Sequence, residues 1–263
     1  MEGVLGEKAQ WWLHFRKYNE WSAFLQDWNA PIVLPDAQPN LLALKVQLKD
    51  SLTNQEQKQL AFTQLAESPS GRLHLALMGA EGILKDSNLD FSAVTKGENR
   101  PPVLKVLRHY FGSEKAIDEE GVLSLSKDPV AGKVKAIQNC ATCHKIVGSG
   151  NEIGPDLSQI GQKMDYPTLV NAIVQPDAAI GFGSEAYLIA LKNGAVLLGL
   201  LQAAGPVVTV LDFQGQRHVL PAEEVLNRKQ LPISLMPGPT EMQLKAQDIA
   251  DIAAFLIQSH TSN

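Results

Sequence analysis

Both cysteines of this chain lie in one pentapeptide, Cys140-Ala141-Thr142-Cys143-His144, which has the form C-x-x-C-H. Residues three and four apart share one helical face, so the pattern asks for a helical turn that presents two thiols and an imidazole together. Such a turn suits a c-type haem. Each thiol can form a thioether to one porphyrin vinyl group, and the adjacent histidine is placed to bind the iron. Three rival readings use the same thiols: a thioredoxin-like redox couple, half of a zinc site, and two buried cysteines without chemistry. A structural zinc site needs four ligands. There is no third cysteine, and no H-x-x-x-H pair follows. A thioredoxin-like pair would follow a strand, whereas Gly132-Lys133-Val134-Lys135-Ala136-Ile137-Gln138-Asn139 reads as a helix.

At 263 residues the chain is long for one domain, and two or three modules are expected. Its 28 acidic and 23 basic residues leave a formal charge of -5. That balance argues against a nucleic-acid surface and against a polybasic membrane patch. No transmembrane segment is expected, because no apolar run reaches the ~20 residues that cross a bilayer. The first eight residues, Met1-Glu2-Gly3-Val4-Leu5-Gly6-Glu7-Lys8, lack a signal-peptide core. Covalent haem attachment in bacteria belongs to exported proteins. The expected setting is therefore periplasmic or otherwise exported, with a signal or upstream region absent from this chain. If both cysteines carry haem, none remains for a disulfide.

The first part, residues 1–127, reads as a helical domain, either a bundle or a degenerate helical repeat. Trp11, Trp12, Phe15, Tyr18, Trp21, Phe24, Leu25 and Trp28 form an aromatic stripe, read more readily as core than as a docking surface. Further helices are predicted after Thr53 and Glu56, a capping-box pair, after Pro69-Ser70-Gly71, and from Pro101-Pro102 to Gly112. Residues 113–128 read as a charged linker. Asp128 and Pro129 should cap and open the helix that leads to Cys140. Residues 148–157 read as a loop and 166–174 as a short helix.

From 185 to 222 the pattern changes. Tyr187-Leu188-Ile189-Ala190-Leu191 and Val196-Leu197-Leu198-Gly199-Leu200-Leu201 flank Asn193-Gly194, a pair that suits a type I′ hairpin turn. A second pair, 207–211 and 217–220, makes four antiparallel strands. Thr240-Glu241-Met242-Gln243 is a further capping-box pattern, expected to open a terminal helix with Leu244, Ile249, Ile252, Ala253 and Leu256 on its apolar face.

His144 leaves one axial position of the iron to assign. The candidates are the five methionines, the other five histidines, or no ligand. Met236 is favoured because Leu235-Met236-Pro237-Gly238-Pro239 is a proline-stiffened loop just before the terminal helix. A thioether there is a soft, neutral ligand. Met164 precedes Tyr166-Pro167, Met242 falls in the capping-box turn, and Met1 and Met78 lie outside the haem module. His218 in a strand and His260 near the end read as surface residues, while His14, His74 and His109 are remote. The second ring nitrogen of His144 should donate to a backbone carbonyl, for which Pro155 is the candidate.

Through these residues the segment from about 129 to 259 resembles class I cytochrome c domains. The order C-x-x-C-H, Gly154-Pro155, Met236-Pro237, terminal helix is the order that family uses. The likeness is closer to the haem-binding C-terminal domains of large exported proteins of planctomycetes, their relatives and Bacteroidetes. It is carried by Asn139-Cys140-Ala141-Thr142-Cys143-His144, Gly154-Pro155-Asp156-Leu157-Ser158-Gln159-Ile160-Gly161, Ser234-Leu235-Met236-Pro237 and Asp251-Ile252-Ala253-Ala254-Phe255-Leu256. The resemblance implies a mainly α chain in which a helical domain (1–127) precedes a cytochrome c fold (128–263) carrying a four-stranded antiparallel β insertion at about 185–222. It implies one covalent haem c attached through Cys140 and Cys143, with His144 and Met236 as iron ligands and Pro155 as the acceptor behind His144. Single-electron transfer from a redox partner protein or a fused dehydrogenase domain follows as the expected function. The separation of His144 from Met236 is much longer than in a minimal cytochrome. Two alternatives remain: a haem-based sensor or small-ligand binder with a weak or vacant sixth ligand, and a structural interaction module. No nucleophile, phosphate loop or paired carboxylates suggest an independent catalytic site.

Overall fold

The computed structural model describes residue 13 and residues 34–85, 87–112 and 117–259. The aromatic stripe from Trp11 to Trp28, with Met1, His14 and His260, lies outside the described residues. Four helices come first: α1 (Pro39–Lys49), α2 (Gln55–Glu67), α3 (Pro69–Ala80) and α4 (Pro101–Phe111). Three of them begin on proline, which loses no hydrogen bond at a first helical position. The Thr53/Glu56 capping box does not form. Asn54 caps α2 instead, its side chain accepting from Gln57 N, one residue later than expected. Ser68 caps α3 in the same way through Gly71 N. As expected, α4 closes at Gly112, whose N–H donates to the Arg108 carbonyl at 2.9 Å.

A five-stranded antiparallel sheet follows later in the chain, after the two-stranded ribbon of β1 (Lys145–Ile146) and β2 (Ser149–Gly150). Its strands are β3 (Glu185–Leu191), β4 (Val196–Ala204), β5 (Val207–Asp212), β6 (Arg217–Pro221) and β7 (Val225–Ser234), in the order β6-β5-β4-β3-β7. The expectation of four strands ending near 222 is therefore corrected to five ending at Ser234, and mainly α holds only in part. Strand β7 escaped notice because it is an edge strand with Arg228, Lys229 and Pro232 in its middle, the residues that protect sheet edges.

Strand periodicity splits the sheet into two faces. Ala186, Leu188, Ala190, Val196, Leu198, Leu200, Leu231 and Ile233 join Phe62, Leu65, Leu75, Leu77, Met78, Val103 and Leu107 of the helices in one core. Helix α3 lies across β4 and β7. The opposite face gathers Ile189, Leu191, Val208, Val210 and Leu220. The helices of 39–111 thus form a layer on the sheet.

The β3–β4 turn is the joint between these layers. It is not type I′, since Gly194 is at φ +90° while Asn193 keeps a negative φ. Gly194 N donates to Leu191 O and Leu191 N to Ala195 O, giving a three-residue loop that ends on a glycine bulge. Asn193 donates its side-chain amide to Pro35 O at 2.7 Å, and its carbonyl accepts from Gln38 N at 3.0 Å. His74, which appeared remote, contacts the Gly194 carbonyl through Nε2 at 2.8 Å. By the β5–β6 turn His218, expected at the surface, pairs with Asp212 at 2.8 Å and is largely covered.

The remaining helices are α5 (Glu119–Leu123), α6 (Pro129–Asn139), α7 (Tyr166–Val174) and α8 (Ala246–Gln258), with a 3-10 turn at Ile160–Gln162. They build a separate core from Val122, Ala136, Ile146, Leu169, Val170, Ile249, Ile252 and Leu256. The expected linker is thus partly folded, because Val122 of α5 is fully buried there. Helix α6 starts where expected, with the Asp128 carboxylate accepting from Val130 N and Ala131 N. It crosses α8 at Gly132, where a Cβ would overlap the Asp251 carbonyl. The Asp251 carboxylate in turn accepts from Asp128 N at 2.9 Å. Helix α8 opens five residues later than expected, its N-cap being Lys245 and not Thr240. Residues 240–243 form a turn, with Gln243 at φ +56°, and Lys245 N donates to Asp248 at the true helix start. Among the described residues no helix is long and apolar enough to cross a membrane.

Candidate functional site

Helix α6 ends at Asn139, and Cys140 is its C-cap, with Cys140 N donating to Ala136 O at 2.8 Å. One further turn follows, closed by Cys143 N and His144 N, which donate to Cys140 O at 3.1 and 2.9 Å. Both thiols and the imidazole therefore sit on a single turn, as the spacing required. Cys140 packs against the core of α5–α8, while Cys143 and His144 are half-buried. Burial, helped by the neighbouring Cys143, pushes the Cys140 thiol up to about 11, and burial raises Cys143 as well. A reactive dithiol needs the reverse, a thiolate stabilised at a helix N-terminus or by cations. Here the pair lies at a helix C-terminus. Among the described residues no group of three or more His, Cys, Asp or Glu side chains gathers in a way that could hold a metal ion.

The chain after His144 folds back over the pentapeptide. The short β1–β2 ribbon turns through Val147 and Gly148, both at positive φ. Asn151 N then donates to Ala141 O at 3.1 Å, the Asn151 side chain to Thr142 O at 2.9 Å, and Gly154 N to Cys143 O at 2.7 Å. Three carbonyls of the pentapeptide are thereby satisfied by one loop. Its Ile153 packs the other way, towards the core of sheet and helices.

That loop sets the histidine. His144 Nδ1 lies 2.7 Å from the Pro155 carbonyl. A carbonyl only accepts, so Nδ1 carries the proton and Nε2 keeps a lone pair. Burial lowers the His144 pKa and the Pro155 bond opposes the shift. The ring is neutral at pH 7, the state an iron ligand requires. Its edge rests on Gly154, where a Cβ would overlap the ring. The role of Gly154 went unread in the sequence, although Gly-Pro is the signal for it: glycine admits the ring and proline presents the carbonyl.

Met236 follows β7 and is half-buried against the core that also packs Cys140. Pro237 and Pro239 are buried beside it. Met242 packs partly against the same core, whereas Met164 is exposed. Met236 N donates to Ser234 Oγ at 3.1 Å, and Met236 O accepts from Lys105 Nζ of α4 at 2.8 Å. Lys105 was also missed. Its signal is a lysine set among Val103, Val106 and Leu107 on an otherwise apolar helix face. Two thiols on one turn, a neutral imidazole with a free Nε2 and a thioether at the same core make the donor set that suits a c-type haem.

No curated protein matches the chain. Residues 130–188, which carry α6, the pentapeptide, Gly154-Pro155 and α7, match the model of the cytochrome c family, while Met236 and α8 lie beyond the match. That match supports a class I cytochrome c domain in this segment, with covalently bound haem and electron transfer as its business.

Proposed function

We propose that the chain is a one-haem electron-transfer module. Cys140 and Cys143 would hold the porphyrin through two thioethers, a link that adds S–H across a vinyl group and so would consume no oxidant. His144 would hold the iron through Nε2 and Met236 through its sulfur. Bound there, the haem supplies an iron that cycles between ferrous and ferric states. Pro155 holds the His144 tautomer and raises the basicity of the ring. The core of α5–α8 partly covers the donors, and cover of that kind limits solvent reorganisation when the charge changes. The observation that carries this reading is the 2.7 Å contact between His144 Nδ1 and the Pro155 carbonyl, beside two thiols on the same turn.

On this reading residues 1–127 form a helical part and 128–263 the haem-binding part, whose sheet is the face on which the helices dock. The electron donor is a redox partner protein or a fused dehydrogenase domain, and the setting is periplasmic or otherwise exported. The kinship with the haem domains of large exported proteins belongs to the same proposal.

The test is expression with a haem-maturation system, followed by mass measurement of the denatured protein. One covalent haem is expected, lost in a Cys140→Ala, Cys143→Ala double variant. Protein that matures without an adduct sinks the reading. In the intact protein, a Met–iron charge-transfer band that disappears in Met236→Ala supports the sixth ligand. Ready CO binding by a five-coordinate ferrous form would favour a sensor instead.

A further inference from the structure

Lys105 has a side chain only 4% exposed, on a helix that belongs to the other core. A buried ammonium is unfavourable unless its charge and protons are matched. Here Nζ meets Asp177 Oδ1 at 2.6 Å and the Met236 carbonyl at 2.8 Å. Asp177, a few residues past α7, also accepts from Ser234 N at 2.7 Å. Ser234 Oγ accepts from Met236 N. Both backbone polar groups of Met236 are therefore tied, within one network that joins α4, the end of α7 and the end of β7. One turn along the same face of α4, Arg108 pairs at 2.7 Å with Glu241, whose carboxylate is 7% exposed. That second bond pins the chain beyond Pro239.

Fold stability alone does not call for such a pair, since well-packed apolar residues usually do as well as a buried ion pair. What the pair adds is direction. A charge-assisted bond fixes the orientation of one carbonyl, and through it the path of the Met236 side chain. We propose that Lys105, together with Asp177, is a positioning residue for Met236, so that the helical layer of 39–111 sets how firmly the sixth ligand of the iron is held. This rests on Met236 being that ligand.

The experiment uses the full-length holoprotein. Lys105→Met keeps the stem and removes the charge, and Lys105→Arg restores a donor. Imidazole, titrated into the ferric form, competes with the thioether, so its apparent affinity reports the fraction of molecules with the methionine released. Lys105→Met should bind imidazole about tenfold more tightly than the parent, a factor set by the loss of one charge-assisted hydrogen bond. Its Met–iron charge-transfer band should weaken and its reduction potential fall, with Lys105→Arg recovering part of each. Amide exchange at Met236 should quicken. Lys49→Met, which removes a long 3.9 Å contact of an exposed lysine with Glu81, far from the Met236 loop in the chain, should change none of these. Should Lys105→Met fail to fold, Ser234→Ala breaks the tie to Met236 N alone and should move imidazole affinity in the same direction by a smaller factor.

Unchanged imidazole affinity and band in Lys105→Met, or in Ser234→Ala where that variant replaces it, overturns the positioning role while leaving the ligand assignment intact. A band that survives Met236→Ala overturns both. The two failures are therefore distinguishable.

Discussion

Leu235 and Met236 are adjacent in the chain yet pack into different cores, Leu235 into that of sheet and helices and Met236 against that of Cys140 and α8. Strand periodicity is the cause: β7 alternates its side chains, and the alternation persists two residues past its end at Ser234. Leu235 is therefore an anchor for the loop that presents Met236. Leu235→Ala should cost about 2–5 kcal/mol, the range for emptying a buried leucine site. Denaturant unfolding checks the stability. The same variant should bind imidazole more tightly, since the loop loses one wall.

Gly154 makes a prediction for the proximal side. In Gly154→Ala the new Cβ overlaps the His144 ring, so either the ring leaves the Pro155 carbonyl or the loop lifts from Cys143. Overpacking of this kind costs about 1–3 kcal/mol. The holoprotein should show a lowered unfolding midpoint and an altered reduction potential. Spectra and potential identical to the parent would remove Gly154 from the site.

At the crossing of α6 and α8 the obstacle is backbone, which cannot step aside as a side chain can. A Cβ on Gly132 would overlap the Asp251 carbonyl and crowd Ile252 N. Gly132→Ala should therefore destabilise by about 3 kcal/mol, at the upper end of overpacking. Gly82→Ala is a useful contrast, because that glycine is open to solvent space and its cost comes from positive φ alone. Urea midpoints of the two variants test the order of effects.

How much of this was legible in the sequence depends on what each residue had to reveal. Local chemistry read well. The cap at Asp128, the helix of α7 and the paired strands of β5 and β6 follow from residues within a few positions of each other. Placement across a turn or across the fold did not. His218 looked like an ordinary strand histidine because its partner Asp212 is recruited by a turn, whose Gln214 and Gln216 amides that carboxylate also holds. Lys105 reads as a surface lysine until α4 is laid beside the Met236 loop, 131 residues away. The sheet looked like an ornament on one module because nothing local says which face of β3 meets α3. The capping boxes at Thr53 and Thr240 failed for a different reason: a better cap lay close by, at Asn54 and at the Lys245–Asp248 pair.

His74 supplies a pH test that needs no haem. Its ring is almost fully buried, with Nε2–H donated to the Gly194 carbonyl and Nδ1 left without a hydrogen-bond partner among the described residues. Burial, opposed by that carbonyl and assisted by nearby Lys45, brings its pKa down to about 4. The folded protein thus refuses a proton that the unfolded chain accepts below its ordinary value of 6.5. Stability from this group is complete above 6.5, falls as the pH drops from there towards 4, and changes no further below. The loss across that window is ~3 kcal/mol. His74→Gln keeps a donor for Gly194 but cannot titrate. Urea midpoints of parent and variant, measured from pH 7 to pH 4.5, should converge as the pH falls, because only the parent carries this slope. Parallel profiles would mean that the ring takes up its proton without leaving the joint between helices and sheet.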